Sequence, residues 1–157
     1  MLIQISDAPA IVRLNVRPAT DGNPAEHVSS NDQTETQELV CIVDDDAWVS
    51  DSVMVLLQTY GYEVLAFRSG KQFLEDERRL KAKCLIIDQH MPGLSGLDVL
   101  AELRRQDTRL PTILITGRLD GAIAERSNGL GVLTTLEKPF AAAQLIESVR
   151  CAVGPRC

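Results

Sequence analysis

The chain has 157 residues, 45% of them hydrophobic, and a net charge of -6, which suits one domain with a single core plus a spare segment and is tight for two full domains. No apolar run approaches the ~20 residues of a membrane helix, and the N-terminal "MLIQISDAPAIVRLNVRP" lacks the basic start and unbroken apolar stretch of a signal peptide, so a cytoplasmic protein is expected. The acidic balance gives no footprint for direct nucleic-acid binding, and the four cysteines, without CxxC or Cys/His metal spacing, read as buried or tail thiols.

Residues 1–38 hold six acids, two bases and no aromatic residue, and the run "ATDGNPAEHVSSNDQTETQE" has the composition of a disordered segment. Only "IVRLNV", residues 11–16, alternates like a short strand that could dock on a sheet edge. This N-terminal extension is set apart from residues 39–153, and 154–157 form a C-terminal tail.

From Leu39 onward short apolar runs alternate with amphipathic helical stretches, the pattern of a parallel sheet covered on both faces. The strands expected are "LVCIVD" (39–44), "EVLAF" (63–67), "CLIID" (84–88), "PTILIT" (111–116) and "VLTTLE" (132–137). Between the first two, Val49, Val53, Leu56, Leu57 and Tyr60 share one helical face, and Gly61 closes the helix. Ser69 can cap a helix through about Glu77, Ser95 caps another carrying Val99, Leu100 and Leu103, and Leu145, Ile146, Val149 and Val153 mark the last. The segment 120–131, with Gly121, Gly129 and Gly131, predicts a short or mobile helix.

Such units place ligands outside the carboxyl ends of their strands. There the first strand ends in "DDD", the third in Asp88, the fourth in Thr116 and the fifth in "EKPF". Singly, each has an ordinary explanation: Asp46 as a helix cap, Asp44 or Asp45 as loop residues, Thr116 as turn chemistry, Lys138 as a solvated charge. Together they are harder to dismiss. Carboxylates packed at one edge repel and raise each other's pKa unless a cation sits between them, and magnesium fits a site that keeps room for water and a phosphate oxygen. Beside such a metal, Asp88 can attack a phosphoryl group, with Lys138 and Thr116 suited to the charge that develops.

The motifs "VDDD" (43–46), "IDQHMPGLSG" (87–96), "ILITG" (113–117) and "EKPF" (137–140) make the chain resemble the receiver domains of two-component response regulators, within them the group that includes nitrogen-fixation regulators. The resemblance covers residues 39–153. It implies an α/β fold: a doubly wound five-stranded parallel sheet of flavodoxin-like order 2-1-3-4-5, with helices on both faces. It implies that Asp88 is the phosphoacceptor, that Asp44, Asp45, Asp88 and the backbone carbonyl of His90 hold Mg2+, that Thr116 is the switch hydroxyl, and that Lys138 pairs with the phosphoryl group ahead of a cis Pro139. Side chains at His90, Gly117 and Arg118 occupy positions that tune the lifetime of the acyl phosphate. The partners implied are a histidine kinase or phosphotransfer protein and a downstream protein, with homodimerisation through the last helices compatible with the sequence.

Two features depart from that pattern. The usual aromatic on the fifth strand, three residues before the lysine, is here Thr135, and Val132 stands where alanine is more usual, so aromatic coupling is expected to be weak while the phosphorylation chemistry is intact. The last helix runs directly into "VGPRC", so a stand-alone receiver without transcription-factor activity is expected. The preferred expectation is a phospho-switch with self-phosphorylation and slow autodephosphorylation of Asp88 but no turnover activity. The alternative is a phosphorylation-independent protein-interaction module on the same scaffold. A haloacid-dehalogenase-type phosphohydrolase wants a second acid two residues after the nucleophile, and His90 occupies that position.

Overall fold

The computed structural model describes residues 36–154. The expected N-terminal extension, "IVRLNV" included, lies outside the described residues apart from 36–38, as does the tail beyond Gly154.

Apolar runs of five residues are too short for helices and too hydrophobic for an exposed sheet face. They pair instead as interior strands of a parallel sheet. The strands β1 (Leu39–Val43), β3 (Cys84–Asp88) and β4 (Thr112–Thr116) are buried at every position, whereas β2 (Glu63–Phe67) and β5 (Thr134–Glu137) form the half-exposed edges. All four pairings are parallel and the order is β2-β1-β3-β4-β5, as the resemblance implies. β4 and β5 begin one and two residues later than expected; at β5 the N–H of Val132 closes the preceding helix on the carbonyl of Ser127.

Because strand side chains alternate, the sheet sends one set to each face. Val40, Ile42, Ile86, Ile113 and Ile115 meet Val53 and Leu57 of α1 (Ala47–Thr59) and Leu145, Ile146 and Val149 of α5 (Ala142–Val153). Cys41, Val43, Leu85, Ile87 and Leu114 meet Phe73 of α2 (Gly70–Glu75) and Leu97, Leu100 and Leu103 of α3 (Gly96–Arg105). Gly70 lies so close to α3 that a Cβ there would meet Cγ2 of Val99, which fixes how those two helices pack. Cys41 and Cys84 are buried free thiols, their pKa values pushed up to about 12 by burial, while Cys151 is disulfide-bonded where a thiol was expected.

Helix ends follow capping chemistry. Asp46 accepts from the N–H groups of Trp48 and Val49, Ser69 from Gln72, and Ser95 from Asp98, whose carboxylate returns a bond to the Ser95 N–H. α2 stops at Glu75, short of Glu77, because Asp76 caps a separate 3₁₀ turn over Glu77–Lys81 and grips Arg78. The segment expected to be a short or mobile helix is α4, Gly121–Gly129, a short helix of nine residues capped by Asp120. Its glycines lie at its ends or beyond, where they cost little helix stability.

Candidate functional site

Parallel pairing brings the carboxyl ends of β1, β3, β4 and β5 to one edge of the sheet, so Asp44, Asp88, Thr116 and Lys138 meet there although they are spread over almost a hundred residues. Asp44 and Asp88 are only 3% and 5% exposed; Asp45 is open to solvent. One oxygen from each of Asp44, Asp45 and Asp88 lies within 4.8 Å of the others, and Lys138 Nζ sits 3.2 Å from Asp88 Oδ1. The structure thus assembles the three acids and the ammonium that the sequence singled out.

The electrostatics are those of an edge that wants more positive charge. Burial pushes the Asp44 carboxyl up to about 6; its Asp88 and Asp45 neighbours add to that, against the opposing Asp46 N–H, 2.9 Å from Asp44 Oδ1, and Lys138. Lys138 supplies one cation for three carboxylates. A hard divalent cation matches this all-oxygen set, one face of which is open through Asp45.

Asp88 is held from behind. Gly96, the first residue of α3, packs so closely that a Cβ there would lie 2.7 Å from the Asp88 carbonyl oxygen, a contact only glycine permits. Gln89 is buried, its N–H donating to the Ile115 carbonyl at 2.7 Å. The chain then turns through "HMPG", where Gly93 adopts φ +82, and the His90 side chain faces solvent. The Lys138–Pro139 bond is cis, as the resemblance implies.

Thr116 is at the edge but is not turned to Asp88. Its buried hydroxyl donates to the Arg118 carbonyl at 2.8 Å and accepts from the Arg118 N–H at 3.2 Å. From the other side of the same loop, Glu137 Oε1 accepts from the Leu119 N–H at 3.3 Å. Thr135, opposite Leu114, is half-buried.

Residues 40–150 match the response regulator receiver domain family. The chain belongs to that family. Nodulation protein W of Bradyrhizobium diazoefficiens is 35% identical over 120 residues, covering 76% of this chain and 53% of that protein. The transcriptional regulatory protein FixJ of Azorhizobium caulinodans is 36% identical over 115 residues, covering 73% and 54%. This receiver domain therefore spans about half the length of the curated relatives it matches. Among solved structures, response regulator StyR superposes with a TM-score of 0.70 at 31% identity, over 74% of this chain and 59% of that one. The chemotaxis protein CheY4 of Vibrio cholerae shares the fold, with a TM-score of 0.69 at 24% identity over 74% and 98%. Receiver domains are signalling domains, and no helix among the described residues is long and apolar enough to cross a membrane.

Three residues at or near the edge escape a reading of the sequence. Gln89 lies inside "DQH", yet its contacts are with Gly96 and Leu97, seven and eight positions on, and with Ile115 of the neighbouring strand. Glu137 was visible in "EKPF" only as the neighbour of Lys138. Arg126 of α4 reaches Asp98 of α3 at 2.7 Å, a pairing between helices that the spacing of charges along the chain does not reveal.

Proposed function

We propose that the chain is the phosphoacceptor of a two-component system: with Mg2+ held by Asp44, Asp45, Asp88 and the His90 carbonyl, Asp88 takes a phosphoryl group from a histidine kinase or phosphotransfer protein in the cytoplasm. The observation that carries this reading is the buried Asp88 carboxylate with Lys138 Nζ at 3.2 Å and the Asp44 and Asp45 oxygens beside it. When bound, the metal would offset the crowded negative charge and give the incoming phosphoryl oxygens a positive partner.

In the transfer, an Asp88 oxygen attacks phosphorus, the phosphorus–nitrogen bond of a phosphohistidine breaks, and its electron pair leaves with the imidazole, which takes up a proton. Lys138 already faces Asp88 and can follow the charge onto a phosphoryl oxygen. Thr116 must first release the Arg118 carbonyl before its hydroxyl can turn to the same group. That exchange loosens the loop from Gly117 to Asp120 and so favours a different set of partners at the α4 side of the domain. Slow hydrolysis would return Asp88 to its free state, without turnover of external substrates.

Thr135 favours one second reading, a module that binds its partner without phosphorylation, because a half-buried threonine cannot fill a cavity as an aromatic ring does. The two readings separate by intact mass after incubation with magnesium and acetyl phosphate. One added phosphoryl group, absent in Asp88→Asn, is expected; no adduct from any small phosphodonor would leave the interaction module standing.

A further inference from the structure

We propose that Gln89 is a positioning residue for the phosphoacceptor, holding the Asp88 peptide and the loop after it in place by capping helix α3. The proposal rests on the reading of Asp88 given above.

A helix leaves its first N–H groups without intrahelical partners. In α3, Gln89 alone satisfies two of them: its carbonyl accepts from Gly96 N at 3.2 Å and its side-chain Oε1 from Leu97 N at 3.0 Å, while Ser95 Oγ takes the third, from Asp98. Gln89 N in turn donates to the Ile115 carbonyl of β4. One buried residue therefore ties the nucleophile's own peptide to a neighbouring strand and to the start of a helix. Gly96, pressed against the Asp88 carbonyl, leaves no slack between them. The loop so closed, residues 90–95, begins with His90, whose carbonyl is assigned to the metal. An apolar side chain at 89 would fill the same space but leave the Leu97 N–H buried without an acceptor, and the loop would shift to find one.

The test compares the full chain with Gln89→Met, which keeps length and removes the acceptor, and with Val149→Ala, a core truncation on the opposite sheet face that serves as a control for lost stability. Magnesium is titrated by amide NMR and acetyl phosphate labelling is followed by mass. In Gln89→Met the Leu97 amide is expected to move upfield, magnesium affinity to fall about tenfold and labelling to slow about tenfold or more. Val149→Ala should leave both within about twofold. If Gln89→Met does not fold, Gln89→Leu takes its place with the same expectations. A Gln89 variant that binds magnesium and is labelled like wild type overturns the proposal alone, as does an equal loss in the control. A wild-type chain that neither binds magnesium nor accepts phosphate overturns the parent reading and this one with it.

Discussion

Helices α3 and α4 lie side by side and are held by different physics. α3 buries Leu97, Val99, Leu100 and Leu103 and carries a full capping box. α4 buries only Ser127, whose hydroxyl finds no partner among the described residues, with Ile123 partly covered. What fixes α4 is largely polar and comes from α3: Asp98 pairs with Arg126, and Arg104 donates to the carbonyls of Leu130 at 2.8 Å and Gly131 at 3.4 Å. Apolar burial does not respond to a charge arriving at Asp88, whereas hydrogen bonds can be exchanged at modest net cost. On the proposed role of Asp88, the helix behind it would stay in place and the helix beyond the Thr116 loop would be the one to move.

The largest effect should come from breaking the apolar side of that contrast. Leu103→Ala, at a fully buried position, is expected to cost about 3 kcal/mol in urea unfolding, whereas Ile123→Ala in α4 should cost about 1 kcal/mol. Equal losses would erase the difference between the helices.

The acid edge gives the next effect, and its sign is opposite. The folded Asp44 carboxyl titrates at about 6, above its ordinary 3.8, so between those values the folded chain holds a proton that the unfolded chain has lost. The metal-free protein therefore loses stability as pH rises through that window, and carries the full cost above it. Asp44→Asn should stabilise the metal-free protein at pH 7 by up to about 3 kcal/mol and flatten the profile between pH 4 and 6 in thermal melts, while weakening magnesium binding. Wild-type magnesium affinity should fall as pH drops through about 6, where the proton competes for Asp44.

The polar side should show smaller energies and larger motions. Arg126 and Asp98 are 48% and 41% exposed, so Arg126→Gln is expected to cost about 0.5 kcal/mol, yet to speed hydrogen exchange in α4 without touching α3. Smallest of all should be the response of β5: on beryllofluoride binding, amide shifts should be large from Gly117 to Asp120 and slight around Thr135. Large shifts at Thr135 would mean that the strand relays the signal without an aromatic.

Much of this was legible in the chain. The sheet, α1, α3 and α5 are written in apolar periodicity, and the acids announce themselves by ending buried strands. The end of α2 was not legible because Asp76 could equally continue one helix or cap the next turn, a competition settled by its grip on Arg78. The short α4 was legible too, its glycines falling at its ends. The direction of the Thr116 hydroxyl and the reach of Gln89 depend on backbone groups brought near by folding, and no spacing of residue types encodes them.

Trapping the phosphorylated residue tests the account most directly. The protein is incubated with magnesium and acetyl phosphate, treated with borohydride, which reduces an aspartyl phosphate to homoserine, and mapped by peptide mass. Homoserine at position 88 and at no other acid is the expected result; no homoserine, or homoserine at Asp44 or Asp45 in its place, would contradict the assignment of Asp88 as the nucleophile.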